Sequence, residues 1–230
     1  MKKLLFISIC LLLANVAMAQ FSVSYSFGYG SYKMGDMKGF LENIQQHEEG
    51  QHPGLGAAVV DNFPAYMTHS VDVAYRIKAH EFGVRGSFYS TGGKLSKQDH
   101  TGEYECKVTT NGYRQSLFYR YYFYSTAPRN KRVLSVFGEV APAVIVSRVK
   151  IREHLTVYNE PIESDDVTVD KVGFACLPQV GVRYNILPYL GFQVMAGYEL
   201  SFSPKVSELA ESPKIDWSGV RVSGGVYVSF

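Results

Sequence analysis

Between Phe21 and Gly30 the chain alternates without a break: Phe21, Val23, Tyr25, Phe27 and Tyr29 fall on one parity, and Ser22, Ser24, Ser26, Gly28 and Gly30 on the other. A period of two is that of a β-strand, whose successive side chains leave opposite faces. One face here is as apolar as a core, while the other is small or polar. Lipid outside and a crowded barrel interior ask for that division.

Seven further segments repeat it. Val71, Val73, Tyr75 and Ile77 oppose Asp72, Ala74, Arg76 and Lys78, and Phe82, Val84 and Phe88 oppose Gly83, Arg85 and Ser87. Leu117, Tyr119, Tyr121 and Phe123 oppose Ser116, Phe118, Arg120 and Tyr122. Leu134, Val136, Val140, Val144 and Val146 oppose Ser135, Glu139, Ala141 and Ala143, and three more segments run over 172–184, 190–202 and 220–230. The expected fold is all-β, a transmembrane antiparallel up-and-down β-barrel of eight strands. The count becomes ten if the first loop hides a hairpin around Gly54–Tyr66. A soluble β-sandwich or lipocalin-like barrel with this pattern would turn a continuous wall of Val, Phe, Tyr and Leu to water. The 17 Tyr and 14 Phe, against one Trp, suit two interfacial girdles.

Connections between the eight segments alternate long and short, at roughly 38, 3, 20, 8, 23, 5 and 14 residues. Outer-membrane barrels have long extracellular loops and short periplasmic turns, so both termini are expected in the periplasm. Lys2-Lys3, the apolar run Leu4–Val16 and Ala17-Met18-Ala19 read as an export signal cleaved before Gln20. Residues 20–230 are then one barrel domain. Loss of residues 1–19 lowers Lys+Arg from 23 to 21 against 21 Asp+Glu, which leaves no basic footprint for nucleic acid. Two cysteines in the remaining chain, Cys106 and Cys176, make no disulfide framework and are expected as free thiols.

The final residues are more specific. Ser223-Gly224-Gly225-Val226-Tyr227-Val228-Ser229-Phe230 resembles the terminal strand by which outer-membrane barrels are recognised during assembly. Ser223, Gly225, Val228 and Phe230 occupy its signal positions, with Val228 standing where an aromatic is common. With the export segment and the eight strands, the mature chain resembles the OmpA/OmpX-like family of small outer-membrane barrels, nearest to porin-like members with one long first loop. The resemblance implies a monomer without cofactors. Its partners would be membrane lipid, the barrel-assembly machinery during insertion, and an extracellular protein or small ligand at the loops.

An eight-stranded barrel is only wide enough to be filled by side chains. Counted from their turns, Arg76, Arg85, Arg120 and Glu139 should lie at similar heights, with the arginines gathered around Glu139, because buried guanidinium groups need partners. This cluster reads as a plug; the alternative is a wet, anion-leaning path, since arginines outnumber acids on the inward parity. In the first loop Met34, Met37, Phe40, Leu41 and Ile44 recur at helical spacing behind Asp36, a candidate N-cap. This short amphipathic helix is expected to cover the barrel mouth or fold into it, as a packed lid or as a binding surface. The stretch Lys150–Asp170 is rich in both charges without calcium-loop spacing, and reads as a solvated loop. Alternation at Tyr104–Tyr113 and Val144–Ile151 outruns a membrane span, so these strands are expected to project beyond it.

The expected job is therefore structural or surface-interacting, with a small porin as the alternative and a lipid A-modifying enzyme as a remote one. A deacylase would need a His base and a Ser nucleophile on one side of the wall. His69 and Ser70 are adjacent and so point to opposite faces. No catalytic, cofactor or metal constellation is expected.

Overall fold

The computed structural model describes residues 20–51, 58–98, 102–126, 133–157, 160–202, 206 and 213–230. The export segment 1–19 lies outside them. Strand β1 (Gln20–Gly30) leads into helix α1 (Gly35–Gln51), followed by β2 (Ala58–Asn62), β3 (Tyr66–Ile77), β4 (His80–Gln98), β5 (Gly102–Ser125), β6 (Leu134–Val157), β7 (Glu160–Asn185), β8 (Leu190–Phe202) and β9 (Gly219–Ser229). Neighbouring strands β3 to β9 pair antiparallel in chain order, and β1 closes the ring between β9 and β3. Eight strands form the barrel. Among the described residues β2 pairs with the far part of β4 and stays outside the ring, so the Gly54–Tyr66 segment adds no ninth barrel strand.

The register fixes the barrel's geometry. From Gln20, paired residues lead through Arg76, Glu81, Arg120, Glu139, Gln179, Gly197 and Arg221 and return to β1 at Gly30, ten residues along. A shear of ten over eight strands corresponds to a tilt of roughly 40° and a lumen that side chains can fill. Close approach of the walls is built in at Gly83. A Cβ there would collide with the Phe118 ring and stand 2.5 Å from the Val73 carbonyl oxygen.

One face of the wall is a belt of exposed apolar groups, including Phe21, Tyr25, Val73, Val84, Leu117, Val180 and Phe192, while Ser22, Ser24, Ser26, Asp72 and Arg120 of the same strands are buried inside. Cys176 lies on the outward parity and Cys106 is buried, and no disulfide joins them. At the end that carries both termini the turns are short, as at Lys78–Ala79. At the opposite end β4 to β7 continue for 19, 24, 24 and 26 residues in all, against about 10 for a membrane crossing. Within the charged stretch, residues 150–157 and 160–170 are therefore strand rather than loop, forming the far part of the β6–β7 pair.

Beyond the belt the polarity of the strands inverts. Tyr104, Cys106, Val108, Ile145 and Val149 point inward and are buried, while Lys107, Arg152 and Asp166 are exposed outside. Helix α1 fills this upper space. Met37, Phe40 and Leu41, with Met34 just before the helix, join Tyr32, Tyr89, Leu95, Ile215 and Trp217 in one buried cluster, and Ile44 packs at its edge. Each large side chain so buried contributes about 1.5–3 kcal/mol, which explains why a helix with a weak apolar stripe is held. Asp36 does not precede the helix as its cap. It lies in the first turn, and its carboxylate accepts the Lys214 N–H at 3.2 Å.

Candidate functional site

The lumen is the most organised feature of the barrel, and its chemistry follows from the register. Arg76, Glu81, Arg120 and Glu139 are consecutive along one hydrogen-bonded row, so inward-facing charges of opposite sign stand side by side on neighbouring strands. Near the terminal end three arginines meet three acids. Arg85 donates through Nε to Asp72 at 2.7 Å, through Nη1 to Glu139 at 2.7 Å, and through Nη2 to both carboxylates. Arg120 reaches Glu81 at 2.7 Å and Asp72 at 2.8 Å, and its Nε donates to Glu139. Arg183 holds the other oxygen of Glu81 at 2.6 Å, where the Tyr122 hydroxyl also donates at 2.7 Å. Gln179 donates to Glu139 at 2.6 Å. All of these charged groups are buried, so their desolvation is offset only because nearly every donor has an acceptor.

Two placements differ from the sequence reading. Arg76 does not reach Glu139. Its guanidinium lies 3.8 Å over the Tyr122 ring at the mouth, with Nε donating to the Lys78 carbonyl at 2.9 Å. Its register partner Glu81 is already claimed by Arg120 and Arg183. Conversely, Glu81, which directly follows the turn, shares the parity of Arg85 and is buried in the lumen. Parity counted through the turn would have found it.

A second cluster lies higher in the lumen. Arg114 donates to Glu199 at 3.0 Å, to the Ser116 hydroxyl at 2.7 Å and to the Ala141 carbonyl at 2.8 Å. The last contact fills a break in the β5–β6 ladder, which skips from Ser116–Ala143 to Tyr119–Val140 where Pro142 brings no N–H. The Tyr89 hydroxyl donates to the other Glu199 oxygen at 3.0 Å. Arg221 is tied to the cap, donating to the carbonyls of Trp217 at 2.6 Å, of Val220 at 3.3 Å and of Ser31, while its guanidinium lies over the Tyr32 and Tyr89 rings. Burial pushes the Tyr32 phenol well above its ordinary range, so it stays neutral.

Outside the barrel, the first exposed ion pair above the belt joins Arg148 to Asp170 through two hydrogen bonds of 2.8 Å. Those bonds lower the Asp170 carboxyl and raise the Arg148 guanidinium. His69 points outward, its Nδ1 2.8 Å from the Tyr25 hydroxyl, away from the lumen face of Ser70. Of the terminal positions, Ser223 lies on the inward parity, Gly225 packs on the Tyr25 carbonyl where a Cβ would collide, and exposed Phe230 donates its N–H to the Phe21 carbonyl at 2.8 Å. Val228 pairs with Val23. Among the described residues no group of three or more His, Cys, Asp or Glu could hold a metal ion.

An apolar outer belt, a closed register and a charged, filled interior define a small eight-stranded transmembrane β-barrel. No family model matches the chain, and no curated protein matches it. Among solved structures it is similar to Neisserial surface protein A, at 15% identity over 92% of this chain and 99% of that one, with a TM-score of 0.40. Ail of Yersinia pestis is similar at 12% identity over 92% and 97%, with a TM-score of 0.38. The N-terminal barrel of Pseudomonas aeruginosa OprF is similar at 10% identity over 91% and 97%, with a TM-score of 0.39. The fold assignment rests on the strand register itself.

Proposed function

We propose that this chain is a structural, surface-presenting barrel of the outer membrane whose lumen does not conduct. Both termini face the periplasm and the cap faces outward, because the chain turns back close to the belt at the terminal end and projects far beyond it at the cap end. Export would remove residues 1–19, and the strand ending in Phe230 would be read by the barrel-assembly machinery. The observation that carries this reading is the closed network of Arg85, Arg120, Arg183, Asp72, Glu81 and Glu139 across the lumen, with α1 packed above it. Surface interaction falls to the projecting sheet. Among the described residues β7 pairs with β8 only from Phe174 onward, and the stretch of the sheet beyond that point is the surface a partner would meet.

Single-channel recording of the refolded mature protein in a planar bilayer tests this. A heat-modifiable barrel without steady conductance is the expected result. Stable, anion-selective steps would overturn it in favour of a small porin.

A further inference from the structure

The lumen charges do not balance, and the imbalance has an address. Among the described residues, five guanidinium groups less than a tenth exposed, those of Arg85, Arg114, Arg120, Arg183 and Arg221, face four such carboxylates, Asp72, Glu81, Glu139 and Glu199. The lower cluster pairs three with three. The excess falls on the upper cluster, where Arg114 and Arg221 share Glu199. Arg114 holds that carboxylate at hydrogen-bond distance, whereas the Arg221 Nε stands 3.8 Å from it and has no hydrogen-bond acceptor. The other three contacts of Arg221 are to neutral carbonyl oxygens. A buried charge without a counter-charge is costly enough that proteins neutralise it or pair it, and an arginine does not lose its proton.

Between the two clusters lies a cavity of about 30 Å³, bordered by Arg85, Arg221, Tyr89, Ser70, Ser87 and Ser223. It has the size of one water-sized particle, and no acid lines it. The Tyr89 hydroxyl is given to Glu199 and the Arg85 guanidinium to Asp72 and Glu139, so the hydroxyls of Ser70, Ser87 and Ser223 and the charge of Arg221 are what the cavity offers, beside apolar Leu177 and Met195. We propose that this cavity is a binding site for a single small monovalent anion of the halide class. The anion completes the charge balance of the lumen and accepts from the serine hydroxyls around it. The site is a fixed counter-ion position inside a closed barrel, and it stands independently of whether the lumen conducts.

Bromide is the probe. Thermal unfolding of the refolded barrel is followed in sodium bromide and in sodium gluconate, whose anion is too large for the cavity, at equal ionic strength. The midpoint should climb with the logarithm of bromide concentration, as for a ligand that binds the folded state alone, and stay flat in gluconate. Crystals grown in bromide should give an anomalous peak inside the cavity. Ser87→Asp places a fixed carboxylate there, so this variant should lose both the peak and the bromide dependence. Arg221→Gln removes the excess charge and should do the same; if it fails to fold, Ser87→Asp decides. Equal midpoints of the parent barrel in the two salts would overturn the proposal. So would full bromide dependence in Ser87→Asp, or a water without anomalous signal in the cavity.

Discussion

Glu139 is the residue whose loss should cost most for its size. Its carboxylate accepts from Arg85 twice, from Arg120 and from Gln179, and it is 3% exposed. Glu139→Ala strands positive charge in a dry interior, because Asp72 and Glu81 cannot neutralise three guanidiniums. Removing one member of a buried ion pair costs about 3–5 kcal/mol. Against a typical stability of about 5–15 kcal/mol, that is a third or more of the total. Glu139→Gln keeps the shape and loses the charge, so it should fall between the parent and the alanine variant. Removing Arg120 together with Glu139 should cost less than the two single losses combined, since each single change strands a charge that the double change does not. The assay is urea unfolding of the barrel refolded in lipid vesicles, read by the band shift of unheated samples. Trp217, the one tryptophan, reports on the cap in parallel. A Glu139→Ala barrel within about 1 kcal/mol of the parent would refute the reasoning, because surface-like pairs are worth no more than that.

Leu41→Asp, at 0% exposure inside the cap, should release α1 and shift the Trp217 emission to the red, while the band shift of the barrel survives; loss of both signals together would mean that cap and barrel fold as one unit. Gly83→Val should cost at least 1–3 kcal/mol or block assembly, because its side chain meets the Phe118 ring and the Val73 carbonyl; wild-type unfolding would contradict the close packing. Arg148→Ala should leave the unfolding midpoint unmoved at neutral pH, both partners being exposed. The folded Asp170 carboxyl lies below its ordinary value, so whatever the pair contributes is present above the unfolded value and is lost as pH falls through the folded one. A marked midpoint loss in Arg148→Ala at neutral pH would count against that assignment.

The barrel was legible in the sequence because lipid imposes one rule on every strand. Phe21 to Tyr29 and Leu117 to Phe123 carry bulk on one parity, and a single register slip would turn that whole face inward. The meeting of Arg85, Arg120 and Glu139 could be approached by counting from turns, but a tilt of roughly 40° spreads one row along the barrel axis. That is why Arg76 ends at the mouth while Arg221, on the same row, ends beneath the cap. The partners of Arg183 and Arg221 were hidden for a different reason. Arg183 meets Glu81 across 102 positions, and Arg221 is held by main-chain carbonyls, which carry no sequence signal. Alternation through Val144–Ile151 signals that β6 projects, but the density of charge beyond it hides that β6 continues to Val157 and that β7 returns from Glu160.

The inversion of polarity along single strands ties these features together. On β5 the outward parity runs from Phe123 through Tyr113 and then changes at Asn111, Thr109 and Lys107, while the inward parity changes from Arg120 and Arg114 to Val108, Cys106 and Tyr104. The outward face changes between Tyr113 and Asn111, with Gln115 its one polar group below that point, and the inward face changes between Thr110 and Val108. A strand surrounded by lipid must keep its polar groups inside, and the same strand surrounded by water must keep them outside. The change therefore marks the membrane surface, and β6 agrees by placing Val146 below it and Arg148 above. Above that line the chain builds an ordinary water-soluble core around Trp217, and below it a salt-bridged plug. Arg221 stands at the junction, bonded to the Trp217 carbonyl above and facing Glu199 below. The cap is thus fastened to the lumen through the guanidinium that, among the described buried ones, carries the excess positive charge.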